Sequence, residues 1–282
     1  MSRLVAAALG AGSSALAAAA LRAVPPGGRE RWARSNYAGR EVSLLGGAAA
    51  ATATVLAGAG GGGRTAGATA LAAAAGGAFG ALDDLTEDPA GATKGLRGHL
   101  GSLARGRVTT GALKVLGIGA GSLAAAAVLT VGTPAAGPAP GLRRVGDTLA
   151  RGALIAGTAN LLNLFDLRPG RALKVAAGLG GVLAVAGGPG GRAAAGVFGV
   201  ALTSLPSDLG ERTMLGDTGA NALGAALGTS LAVHRSPLVR TGALAGVVAL
   251  TLASERVSFS AVIRRTPLLR RLDEWGAAGG RR

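Results

Sequence analysis

Residues 65–84 read TAGATALAAAAGGAFGALDD: a long run of positions without a charge, closed by two adjacent carboxylates, Asp83 and Asp84. A helix needs about 20 apolar residues to cross the core of a bilayer, and this run is close to that length. A carboxylate at the edge of lipid is costly to keep, so a pair of them marks a polar site and not a neutral helix end. The same punctuation recurs along the chain. Uncharged stretches run Leu4–Leu21, Val42–Gly63, Thr65–Leu82, Val115–Leu142, Gly152–Phe165, Val175–Gly191, Ala193–Ser207, Thr218–Val233 and Thr241–Ser254. The shorter ones need flanking side chains that can reach the interface, such as Arg151 and Arg240. The pattern predicts an all-α, polytopic membrane protein of about nine to ten helices. No linker divides it, so residues 1–282 are expected to form a single integral membrane domain.

The composition agrees. Apolar residues make up 49% of the 282 positions, yet aromatics only 2%, while 51 are glycine. A soluble domain of this size buries more Phe, Tyr and Trp. In lipid, small residues let helices approach closely. Gly117 with Gly121, and Gly224 with Gly228, are small-residue pairs that read as packing faces.

The net charge of +15 would suit a nucleic-acid binder. The basic residues, however, sort by side instead of forming a patch. With the N-terminus outside, the inside segments are 22–41, 83–114, 164–174, 208–217 and 254–282, and they hold 21 of the 29 Lys and Arg residues. Basic loops stay inside, so this bias sets the orientation. It also excludes nucleic acid as the partner and places Asp83, Asp84, Asn160, Asn163, Asp166 and Asp217 on the cytoplasmic side. With no cysteine, disulfide and thiol chemistry are excluded. Two histidines, His99 and His234, do not suit a zinc centre. Residues 4–21 have the length of a signal-peptide core, but Arg22 and the basic run after it fit a retained first helix better. Gly58–Gly63 reads as a tight turn, and Gly132–Gly141 as an outside loop.

Four motifs carry the candidate chemistry. Asp83 and Asp84 point about 100° apart on a helix, so one can bind an ion or act as a base while the other orients it or caps a helix. Lys94-Gly95-Leu96-Arg97-Gly98-His99, then Arg105, Arg107 and Lys114, set cations and glycines beside that acidic pair, which suits a phosphate-bearing ligand or anionic headgroups. Asn160 and Asn163 share a helix face and abut Asp166. Two amides on an apolar span serve interhelical hydrogen bonds or a polar site. Leu215-Gly216-Asp217-Thr218-Gly219 opens a glycine-rich helix, where Asp217 can cap the helix or hold a divalent cation against a pyrophosphate.

Together and in this order, the motifs resemble those of the polyprenyl-phosphate N-acetylhexosamine-1-phosphate transferase family. The resemblance runs from about Asn36 onward. The family's aspartate pair matches Asp83 and Asp84, its Asn-x-x-Asn-x-x-Asp matches Asn160, Asn163 and Asp166, and its Gly-Asp-Thr-Gly matches Gly216 to Gly219. Asn36 to Val42 resembles its first cytoplasmic loop. The resemblance implies a Mg²⁺-dependent transfer of a phospho-sugar from a UDP-N-acetylhexosamine-type donor to polyprenyl (undecaprenyl) phosphate, with UMP released, in the plasma membrane of a bacterium. It implies Asp217 as the metal ligand and Asp83, Asp84 and Asp166 as catalytic residues. Lys94, His99, Asn160, Asn163, Arg270 and Arg271 would bind substrate, and a homodimer is allowed. Two departures stand out. The family continues its third motif as Asp-Gly-Leu-Asp-Gly, where this chain has Leu167-Arg168-Pro169-Gly170 after Asp166. Leu269, Arg270 and Arg271 occupy the place of a histidine triplet in members acting on the muramoyl-pentapeptide. A degenerate homologue that binds lipid phosphate or UDP-sugar without turning it over is the alternative.

Overall fold

The computed structural model describes residues 1–86, 110–131 and 140–277. Among these, nine long helices follow the nine uncharged stretches: α1 (Arg3–Ala23), α2 (Leu45–Ala59), α3 (Gly63–Thr86), α4 (Thr110–Thr130), α5 (Pro140–Phe165), α6 (Arg171–Ala186), α7 (Gly191–Leu209), α8 (Gly216–Ala232) and α9 (Pro237–Ser254). Two short helices follow, α10 (Phe259–Arg265) and α11 (Pro267–Glu274). The all-α expectation needs one amendment. Ala33–Ser35 (β1) and Glu41–Ser43 (β2) pair antiparallel, so the segment expected to begin a span at Val42 becomes helical only at Leu45. The turn between the strands is set by Asn36, whose side-chain oxygen accepts the amides of Ala38 (2.9 Å) and Arg40 (3.0 Å).

Helix starts follow their caps. Ser2, Ser236 and Ser258 each accept a backbone amide of the first turn of α1, α9 and α10, and Pro237 opens α9. The core is rich in small residues, and many large apolar side chains stay outside it. Alanines outnumber the leucines of the interior, such as Leu154, Leu173 and Leu223, while Leu4 is 84% exposed, Val185 83% and Leu238 81%. Water would drive those large side chains inward before any alanine. A hydrocarbon surround reverses the preference, because lipid tails are as apolar as leucine. α1, α3, α4 and α9 are each long and apolar enough to cross a membrane, and α2 is a shorter apolar helix.

At the centre stands α8, buried along nearly its whole length. α3 packs against it through Gly76 and Gly80, and α5 across Gly224 and Gly228. A Cβ at Gly224 would stand 2.6 Å from the Cα of Ala159, and one at Gly228 2.7 Å from the Cα of Ile155. Both helices therefore meet backbone to backbone, as the small-residue pair predicts. Gly117 and Gly121 likewise receive Phe79 and Ala75 of α3.

Candidate functional site at the N-terminus of α8

Successive helices reverse direction, so the C-terminal ends of α3, α5 and α7 meet the N-terminal ends of α4, α6 and α8 at one end of the bundle. The β-hairpin lies at the same end. Ser43 bridges Thr213, and its carbonyl accepts the amide of Met214 (3.0 Å).

The first turn of α8 presents amides with no partner inside the helix. Three carboxylates from three other segments meet this turn and the residue before it. Asp84, in the last turn of α3, accepts the amides of Asp217 (3.1 Å) and Thr218 (2.9 Å) and the hydroxyl of Thr218 (2.6 Å). Asp166, just after α5, takes the amide of Gly216. Asp208, near the end of α7, takes those of Leu215 and of Gly170. Gly216 has φ +60, and a Cβ there would reach within 3.0 Å of an Asp84 carboxylate oxygen. Glycine is therefore required at this turn by both conformation and space.

Asp217 itself is not the cap. Its side chain accepts from the ammonium of Lys114, at the start of α4, and the same ammonium donates to Asp83 at 2.5 Å. One cation thus joins carboxylates from α3 and α8. The side chains keep some access to solvent: 18% for Lys114, 15% for Asp83 and 24% for Asp217. The adjacent aspartates have split their roles as helix geometry requires, Asp83 to the ion pair and Asp84 to the helix end. Asp166 is half-buried as a residue, but its carboxyl is withdrawn from water and faces Asp208 and Asp217. Burial first, and then those negative neighbours, hold it well above the ordinary carboxylate range.

Two hollows flank this turn. One, of about 190 Å³, is lined by Asn36, Tyr37, Asp166, Arg168, Pro169, Asp208 and Glu211. Arg168 lies over the Tyr37 ring at 3.9 Å. Glu211 has φ +51, uncommon for a residue with a side chain, and it is held there by Asn36 (2.6 Å) and Arg40 (3.2 Å). The other hollow, of about 370 Å³, lies between α4, α5, α8 and α9. It combines Lys114, Asn160, Asn163, Asn221 and, from the end of α9, Glu255 with apolar Val115, Ile118 and Leu164.

The structure therefore brings Asp83, Asp84, Asp166 and Asp217 around one helix terminus. Asn160 and Asn163 fall in the groove on the Lys114 side, while Asp166 lines the hollow on the other. Lys94 and His99 lie outside the described residues. Arg270 and Arg271 are exposed on α11, which is anchored to the start of α6 and not to α8. Sequence reasoning passed over Asp208 and Glu211 and gave Lys114 no role of its own. Lys114 carried a signal, as one of three lysines and the last charge before a long uncharged stretch.

Among the described residues, no group of three or more His, Cys, Asp or Glu side chains forms a metal cage. Magnesium does not demand one. It binds through one or two carboxylates and completes its shell with water and substrate phosphate. Asp83 and Asp217, already converged on the Lys114 ammonium, fit that mode. Compared with family models, curated proteins and solved structures, the chain matches none.

Proposed function

We propose that this chain is a membrane-embedded phosphoglycosyl transferase. In this reading all nine long helices span the bilayer with the N-terminus outside, and the α8 turn faces the cytoplasm of a bacterium, as the sided basic residues argue. The carrying observation is the Asp83–Lys114–Asp217 ion pair beside the capped N-terminus of α8, next to a groove that is polar at one end and apolar along its walls.

The groove suits a polyprenyl phosphate, with its phosphate at Lys114, Asn160 and Asn163 and its chain between the helices. The hollow at Tyr37 and Arg168 suits the nucleotide of a UDP-N-acetylhexosamine-type donor. An oxygen of the lipid phosphate attacks the sugar-linked phosphorus. The bond to UMP breaks, and a polyprenyl-pyrophosphoryl sugar remains. That nucleophile is already largely ionised at neutral pH, so alignment and charge neutralisation matter more than a strong base. Asp83 and Asp217 would hold magnesium, which when bound would neutralise the pyrophosphate. Lys114 offsets the charge of the incoming lipid phosphate. Asp84, Asp166 and Asp208 keep the α8 turn in place. Membranes containing the chain should release UMP from a UDP-sugar when given undecaprenyl phosphate and magnesium. Asp217→Ala should lower that rate on the order of 100-fold, and an unchanged rate would remove Asp217 from the site.

A second reading, a non-catalytic homologue that binds lipid phosphate or UDP-sugar, is favoured by Pro169. It lines the hollow where the family carries a further aspartate. Magnesium-dependent binding of UDP-sugars without turnover of any donor distinguishes it.

A further inference from the structure

The C-terminal helix α11 has three faces. At 100° per residue, Leu268, Leu272 and Trp275 fall within an arc of about 60°. They are 67%, 56% and 68% exposed. A second face turns to the bundle. Asp273 pairs with the buried Arg171 through both guanidinium contacts, at 2.7 and 2.9 Å, and Lys174 donates to the carbonyls of Leu272 (3.0 Å) and Asp273 (2.7 Å). The third face carries Arg270 and Arg271 with Glu274 between them, all exposed, and Arg264 and Arg265 are exposed at the end of α10. The anchor on α6 therefore fixes the rotation of α11 and leaves an exposed apolar stripe with Arg271 along one edge.

The apolar stripe does not stop at the helix surface. Leu272 and Trp275 also line a hollow of about 550 Å³ with Phe165, Val175, Leu202 and Leu205. An amphipathic helix with a basic border and a tryptophan belongs in the plane between headgroups and acyl chains. We propose that α10–α11 is an interfacial strap that docks on anionic phospholipid. Leu268, Leu272 and Trp275 enter the acyl boundary, and Arg264, Arg265, Arg270 and Arg271 engage the negative headgroups. This rests on the membrane reading of the long helices but not on the transferase reading. It gives Arg270 and Arg271 a lipid partner in place of the substrate.

The test uses the full chain in nanodiscs of phosphatidylcholine, alone or mixed with phosphatidylglycerol, with lipids brominated near the headgroup as quenchers. The part of the tryptophan emission removed by Trp275→Phe should be quenched by the bromines, and more strongly with phosphatidylglycerol. Changing all four arginines to glutamine should weaken that quenching, by about fivefold in the docked-to-undocked ratio for each arginine. The comparison between lipids needs only the conservative Trp275→Phe and none of the arginine changes, so a poorly folded quadruple mutant does not decide the matter. Three results overturn the proposal: a Trp275 reached by aqueous acrylamide but not by bromine, a Trp275 shielded from both, or quenching indifferent to phosphatidylglycerol. Failure of the chain to enter nanodiscs at all would overturn the membrane reading with it.

Discussion

Asp84 closes the N-terminus of a helix that begins more than a hundred residues later. One of its carboxylate oxygens accepts both the amide and the hydroxyl of Thr218, at 2.9 and 2.6 Å. The other takes the amide of Asp217, the residue on which the proposed chemistry turns. The hairpin holds the same place from outside, since Arg34 donates to the Asp84 carbonyl at 2.5 Å. The position of Asp217 is therefore a property of α3 and the hairpin as much as of α8.

The two adjacent aspartates should respond differently to mutation. Asp84→Ala strands two amides and a hydroxyl and should cost about 3 kcal/mol of stability. Asp83→Asn leaves Lys114 with Asp217 and should cost under about 1 kcal/mol while abolishing transfer. Thermal unfolding in detergent beside the UMP-release assay separates the two. Equal stability losses would contradict the split.

Removing the bridging ammonium should unmask a cation site. In Lys114→Met, Asp83 and Asp217 face each other with no positive charge between them. Magnesium should then bind the resting protein about tenfold more tightly, a difference of about 1.4 kcal/mol. This is read as a larger magnesium-dependent rise in melting temperature than in the native chain. Equal rises would show that the pair does not gather the ion.

Asp166 should impose a pH dependence. Its carboxyl is held above its unfolded value, so the folded protein keeps this proton after the unfolded chain has lost it. Its contribution is therefore most favourable at low pH. It is lost as pH rises from the ordinary aspartate value, about 3.9, through the raised folded one. Asp166→Asn mimics the protonated form and should flatten the fall of melting temperature over that window. A slope unchanged in the variant would mean that another group carries it.

Backbone contact along α8 predicts a sharp contrast between glycines. Gly228→Ala drives a methyl onto the Cα of Ile155 and should cost about 1–3 kcal/mol. Gly119→Ala and Gly178→Ala meet nothing within 4 Å and should gain up to about 1 kcal/mol of helix propensity. Melting temperatures of the three variants check this, and a stabilising Gly228→Ala would mean α5 does not pack there.

The proposed topology is testable because the chain has no cysteine. Arg235→Cys, between α8 and α9, should react with a membrane-impermeant maleimide in intact cells. Tyr37→Cys, in the hairpin, should react only after permeabilisation. The reverse labelling would invert the orientation, and labelling of both from outside would contradict the seven spans, α2 to α8, placed between them.

The helices and their alternation were legible in the amino-acid order because a charge-free run is a local property. Burying or exposing it needs no knowledge of what lies opposite. The close approach at Gly224 and Gly228 was legible for the same reason, since only a missing side chain permits it. The division of labour between Asp83 and Asp84, the entry of Lys114, the caps from Asp166 and Asp208 and the outward turn of the α11 leucines were not. Each depends on how one helix is rotated about its axis against another. That rotation is set by packing around α8, where a turn of 100° moves a carboxylate from an ion pair to a helix end.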